Sequence, residues 1–434
     1  MSKRLRVRPA TEPLRGRCRP PGDKSVSHRV AILGGLANGV TRIRGFLDSE
    51  DTMATLKAVE MLGVKVERAG GVITLHGGGL KPPAQPLDLG NSGTGMRLLC
   101  GMLSGRAEFR GSEITLIGDD SLSSRPMGRI IDPLSAMGAV IESKEQRAPL
   151  HIRPQALKAI RYAMPVASAQ VKSALLLAGL SAEGDTVIVE PGPSRDHTER
   201  LLPAFGVPML DGAPGVGLRG GSALNGTSIR VPGDLSSAAF LLAAAILVPD
   251  SEVEIENVGL NPTRDGFLRV VEALGARLDM DLDESVGLEP VGTLRARHHR
   301  LHGVAIPASW VPLAIDEFPI IMALAAGAEG KTVIQGAQEL RVKESDRIAV
   351  MCAALRSLGV AVRETPDGAV IDGGKIRGGV VDSHGDHRIA MSAAVLGLIA
   401  RDEVIIEQAE WIATSYPDFV DDLNRLGAEA DWVN

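Results

Sequence analysis

Three cysteines in 434 residues, none in CxxC spacing, give no material for a disulfide framework or a zinc site. Cys18, Cys100 and Cys352 read instead as buried, reduced thiols. Aromatic residues amount to only 3%, which removes the stacking platforms that single-stranded nucleic acid needs and leaves the core to Ala, Leu, Val, Ile and Gly. A basic excess is also missing, since the net charge is −6, the wrong sign for phosphate-backbone binding. No apolar run approaches the roughly 18 residues of a membrane span, and Met1 to Pro13 lacks the apolar stretch of a signal peptide. A cytoplasmic protein with neither nucleic acid nor membrane as partner is expected.

What is present is a globular composition, 44% hydrophobic and 23% charged, in a chain long enough for two or three domains of about 150 residues. A short ending recurs six times: an apolar segment, a glycine, then a strand-like stretch. It reads MLGVKV, AMGAVI, AFGVPM, ALGARL, SLGVAV and RLGAEA, with glycines at 63, 138, 206, 275, 359 and 427. Each glycine suits the left-handed position that closes a helix. Upstream of each ending lies a second helix that is apolar nearly all round, such as SSAAFLLAAAIL, followed by a short strand: TRIRG, AEFRG, TVIVE, EVEIE, TVIQG or EVIIE. The pattern predicts an α/β protein of six repeated helix-strand-helix-strand units. Three units per domain is the natural division, with one domain over 21–233 and the other formed by 1–20 and 234–434. PPGDK at 20–24 and VPGD at 231–234 are then the two crossings, and two crossings suit a hinge beside a cleft.

The charges at the helix starts run against rule. A first turn favours acidic residues because its N–H groups and the macrodipole are positive. Here Lys24 and Arg29 precede VAILGGLA, Arg97 follows NSGTGM, Arg388 precedes IAMSAAVLGL, and RVKESDR is expected to open the helix continued by IAVMCAALRSLG. Helix starts rich in Gly, Ser, Lys and Arg are the parts of anion sites, and so many of them imply several anionic groups held between the domains. GVGLRG at 215–220 is not followed by a helix, and AAGAEGKT at 325–332 precedes a strand, so neither implies a nucleotide cofactor.

The motifs PGDKSVSHR, NSGTGMR, RVKESDR and GDHR, set in six repeats, resemble the enolpyruvyl transferases, and among them the 5-enolpyruvylshikimate-3-phosphate synthase family. The resemblance spans essentially the whole chain. It implies a two-domain inside-out α/β barrel that transfers the enolpyruvyl group of phosphoenolpyruvate to shikimate 3-phosphate, as a monomer, with neither metal nor cofactor. It places Lys24 between the substrates, Ser25 and Arg29 on the shikimate side, Gly93 against the phosphoenolpyruvate pocket, and Arg125, Arg347 and Arg388 on phosphoenolpyruvate. Ser168, Ala169, Gln170 and Arg195 then belong to the shikimate 3-phosphate clamp. Asp316 is the candidate to bind and deprotonate the acceptor hydroxyl, and either Glu344 or Lys343 handles the C3 proton. For Asp316 the alternative is a helix cap.

A rival within the same fold, UDP-N-acetylglucosamine enolpyruvyl transferase, uses a loop cysteine near the position of Arg125, and no cysteine lies there. A non-catalytic anion-binding repeat protein would leave Asp316 and Glu344 unexplained. Glu339, Thr414 before Ser415, and His197 resemble a glyphosate-tolerant branch of the family, whereas Gly93 does not.

Overall fold

The computed structural model describes residues 3–210, 214–283 and 289–433. The described residues form two compact units, one within 22–231 together with Glu289, the other within 3–21, 232–283 and 290–433. Among the described residues no helix is long and apolar enough to cross a membrane.

In the 22–231 unit, the helices Lys24–Leu36, Gly93–Ser104 and Ala169–Gly179 are enclosed by three sheets. The other unit repeats this with Leu235–Leu247, Phe318–Gly327 and His387–Gly397. These inner helices are apolar on every side because no side faces water. All thirteen residues of Leu235–Leu247 are buried. Small residues let them approach closely: a Cβ added at Gly101 would lie 2.1 Å from the carbonyl oxygen of Ala174 on the neighbouring helix.

Among the described residues three of the six sheets share one full plan, and the others vary it. The strand that leaves the inner helix, for example Gly39–Arg44, pairs antiparallel with the second strand of a hairpin, Val72–Gly77, whose first strand is Lys65–Ala69. A short parallel strand, here Ser228–Arg230, covers the opposite edge. The repeat thus holds one strand more than the sequence pattern, which marks only the hairpin's first strand. All six glycines that end the second helices have positive φ, between +81° and +106°.

The N-terminal 21 residues complete two sheets of the second unit. Arg15–Cys18 runs parallel to Glu252–Gly259, and Arg4–Val7 takes the place of a missing hairpin strand between Val404–Glu407 and Ala430–Val433. One expected strand is corrected. AEFRG is no strand, because Ala107–Phe109 makes a 3-10 turn that buries Phe109, and the strand follows at Ile114–Ile117.

Because the clash at position 101 is with backbone, Gly101→Ala must push two inner helices apart. We expect a loss of about 1–3 kcal/mol, measured as a lower urea midpoint at unchanged slope. A midpoint equal to wild type would show that the helices are not in close contact there.

Candidate functional site

In each unit the N-terminal turns of the three inner helices meet at one end, and the polar residues of the motifs collect there. In the 22–231 unit, Asp23 caps Lys24–Leu36 by accepting from the Val26 N–H at 2.9 Å, which places Lys24 in the first turn. The Lys24 ammonium is paired with Asp51. Asp51 lies in a helix capped by Ser49, and nothing in its local sequence marks it as a partner of Lys24. Arg29 is buried and fully engaged: Nε donates to Thr198 Oγ1 at 2.7 Å, and the Nη atoms donate to Ser173 Oγ and the Ser25 carbonyl, both at 2.8 Å. Burial lowers its guanidinium to about 10. Beside it, burial and the charges of Lys24 and Arg29 hold His28 well below its usual range and therefore neutral.

Ser92 caps Gly93–Ser104, and Ser168 caps Ala169–Gly179. Gln170 ties these helices together, donating to Thr94 Oγ1 and accepting from Arg97 Nη1, each at 2.8 Å. Arg125 is held by Asn91, through Oδ1 at 2.6 Å, and by Ser121. Gly93 sits directly against these cations, since a Cβ there would lie 2.8 Å from Arg97 Nη1 and 3.2 Å from Arg125 Nη1. Arg195 reaches Ser25 Oγ at 3.4 Å. Behind Arg195 the buried Lys172 is paired with Glu190 at 2.6 Å and Glu199 at 2.7 Å. Burial raises Glu199 despite that lysine.

The second unit centres on Asp316. Its Oδ1 lies 3.3 Å from both Lys343 Nζ and Arg347 Nη1, and its carbonyl accepts from Arg388 Nη1 at 3.0 Å. The helix-cap position belongs to its neighbour Glu317, so the structure puts Asp316 one residue ahead of the cap. Arg347 also pairs with Glu344 at 2.6 Å and Asp386 at 2.8 Å. Burial alone would lower the Arg347 pKa, but the carboxylates of Asp386, Glu344 and Asp316 raise it instead. RVKESDR does not open a helix as expected. Gln338–Val342 is a 3-10 turn, Asp346 is the cap, and the helix begins at Arg347. Lys343 and Glu344 therefore extend from irregular backbone, which turns both toward Asp316 and Arg347 rather than along one helix face.

Two residues of quoted motifs carry roles the sequence did not suggest. Asn91 fixes Arg125, and Asp386 caps His387–Gly397 while accepting from Arg347 and Ser345. Two of the divergent residues are buried in place: Thr414 Oγ1 is 3.2 Å from His387 Nδ1, and His197 Nδ1 is 2.7 Å from Glu289. Tyr416 is a core residue whose hydroxyl donates to Asp422 at 2.7 Å. All three cysteines are buried and free, and burial pushes Cys100 up to about 12 and Cys352 to about 11. None is a poised nucleophile.

Comparison with known proteins decides what this arrangement is. The family described as EPSP synthase (3-phosphoshikimate 1-carboxyvinyltransferase) matches residues 9–423. The chain belongs to the EPSP synthase family. A 3-phosphoshikimate 1-carboxyvinyltransferase of Acidithiobacillus ferrooxidans is 52% identical over 420 residues, 96% of each chain. One from Nitrosococcus oceani is 51% identical over 94% of this chain and 92% of its own. The solved EPSP synthase of Acinetobacter baumannii superposes with a TM-score of 0.88 at 44% identity, covering both chains in full. The inside-out α/β fold is that of this family.

Burial alone would raise the Asp386 carboxyl, but Arg347 more than reverses this and holds it below its ordinary range. A lowered folded-state pKa stabilises above the unfolded value of about 3.9, and that stability is lost as pH falls through the folded value. Asp386→Asn is expected to lose about 1–3 kcal/mol at pH 7, because Arg347 loses one charged partner while keeping Glu344 and Asp316. The deficit should shrink between pH 4 and pH 2. A difference from wild type that stays constant over this range would overturn the assignment.

Proposed function

We propose that the chain transfers the enolpyruvyl group of phosphoenolpyruvate to the 5-hydroxyl of shikimate 3-phosphate and releases phosphate, the step leading toward chorismate and the aromatic amino acids. The observation that carries this reading is Asp316, whose carboxylate meets Lys343 and Arg347 and whose carbonyl meets Arg388, cations drawn from two separate segments. A carboxylate at this position can accept a hydroxyl proton, while the cations around it neutralise an incoming dianion. The relatives at 51–52% identity are 3-phosphoshikimate 1-carboxyvinyltransferases by name.

The reaction needs three things. The acceptor hydroxyl must lose its proton as it attacks C2, and Asp316 is placed to take it. C3 must gain a proton and then return it when phosphate leaves, a task for Glu344 or Lys343. Phosphoenolpyruvate must be held by both its anionic groups, which suits the planar forks of Arg125, Arg347 and Arg388. Lys24, between the substrates, neutralises the phosphate that departs. Ser25, Arg29, Ser168, Ala169, Gln170 and Arg195 hold shikimate 3-phosphate. Arg29 and Gln170 do so chiefly by aligning three helix starts, since their polar atoms are bonded to neighbouring helices. The enzyme works as a cytoplasmic monomer. The burial of all three cysteines speaks against the UDP-N-acetylglucosamine transferase reading.

Phosphate release with shikimate 3-phosphate as acceptor, and none with shikimate or UDP-N-acetylglucosamine, tests the reaction. Glu344→Gln keeps the shape of the side chain while removing its titration. We expect retained substrate binding and turnover lower by about 10²-fold or more. Wild-type turnover would remove Glu344 from the chemistry.

Glu339, Thr414 and His197 align the chain with the glyphosate-tolerant branch, while Gly93 keeps the donor side open. Glyphosate is longer than phosphoenolpyruvate, so a methyl group at 93, pressing on Arg97 and Arg125, penalises the inhibitor more. Wild type should show measurable but incomplete inhibition. Gly93→Ala should raise the glyphosate inhibition constant roughly ten- to a hundredfold relative to the KM for phosphoenolpyruvate. An unchanged ratio would take Gly93 out of the donor pocket.

A further inference from the structure

On the 22–231 unit the outer face of one sheet carries a charge arrangement that the transfer reaction does not use. Arg44 on Gly39–Arg44 stands directly opposite Arg230 on the edge strand Ser228–Arg230, and Arg42 stands opposite Ser228. Side chains opposite one another across a ladder start about 5 Å apart, and those two residues apart on a strand about 7 Å. Three guanidinium groups therefore leave one patch. Like charges placed directly opposite destabilise a sheet, and this chain is acidic overall at −6.

Proteins commonly offset such a cluster with a neighbouring carboxylate. Outer arginines on a sheet of the other unit do so: Arg295 lies 2.7 Å from Glu254 and 2.5 Å from Asp281, and Arg297 lies 2.8 Å from Glu252 and 2.9 Å from Asp279. The side chains of Arg42, Arg44 and Arg230 have no hydrogen-bond or ion-pair partner among the described residues. They line instead a concavity of about 770 Å³, with Thr74 and Ser228 beside them, apolar residues of two helices as further wall, and Glu289 also on the lining. That volume lies in the range of small-ligand pockets, about 300–1,000 Å³, and greatly exceeds a single water or chloride. None of its lining residues belongs to the substrate site proposed above.

The geometry points to a second anion site, in which Arg42, Arg44 and Arg230 bind the phosphate of a small phosphorylated metabolite. Arginine forks take phosphate oxygens bidentately, and the two hydroxyls supply further donors. The volume beyond the phosphate gives room for a sugar-sized group. A neutral ligand would leave the arginine cluster uncompensated, and a cation would be repelled.

The test is calorimetric titration of the full chain, with shikimate 3-phosphate and glyphosate both saturating so that the acceptor and donor anion positions are filled. The probes are inorganic pyrophosphate and glucose 6-phosphate. The double variant Arg42→Ser/Arg230→Ser changes exposed residues only, and circular dichroism and transfer kinetics without probe should match wild type. We expect one equivalent of probe to bind wild type and to bind the double variant at least ten times more weakly. Binding of pyrophosphate alone, or of both probes, supports the site; heat from glucose 6-phosphate shows that the rest of the cavity is also used. Absence of binding by both, or affinities in the variant within twofold of wild type, overturns it.

Discussion

The enclosure of the inner helices is the constraint from which the rest follows. A helix such as Leu235–Leu247, buried along its whole length, has no polar side on which to carry function. Its satisfied backbone also offers nothing to a ligand, except at the ends, where N–H groups lack partners. Three such helices with their starts gathered at one end make that end the polar place in each unit. The three sheets around them supply the cover that a chain with few aromatics must find in many small contacts.

The same enclosure explains why charged side chains at these starts are so completely paired. Arg347, Lys172, Arg29 and Arg264 are all nearly inaccessible, and burial of a cation is tolerated only with excellent partners. Arg347 answers to Asp386, Glu344 and Asp316, Lys172 to Glu190 and Glu199, and Arg264 to Asp234 and Glu317. These networks fix the backbone on which Lys343, Asp316 and Arg195 are carried. Rigid support of this kind keeps a cationic shell in place for an anionic transition state.

Two stretches show where local pattern misleads. RVKESDR has the composition of a helix start, yet Asp346 outcompetes the residues before it as cap, and the chain stays irregular through Lys343 and Glu344. AEFRG alternates like a strand, but packing of Phe109 into the core favours a tight turn. In both cases a contact distant in sequence or a single cap overrides a short-range preference, because the local energies at stake are only about 1 kcal/mol.

The sequence by itself determined the sixfold repeat, the apolar inner helices, the helix-closing glycines and the basic helix starts, because each is a periodic or compositional signal written within a few tens of residues. It also placed Arg125, Asp316, Lys343, Glu344, Arg347 and Arg388 among the candidates through their motifs. Only the tertiary structure decided that Asp51 meets Lys24, that Asn91 holds Arg125, and that Asp386 joins Arg347. It likewise decided that Arg4–Val7 fills the sheet beside Val404–Glu407, nearly 400 residues away. Pairings of this kind depend on which elements the core brings together. Local sequence carries no record of that distance, because the energy that selects such partners comes from burial shared by the whole unit.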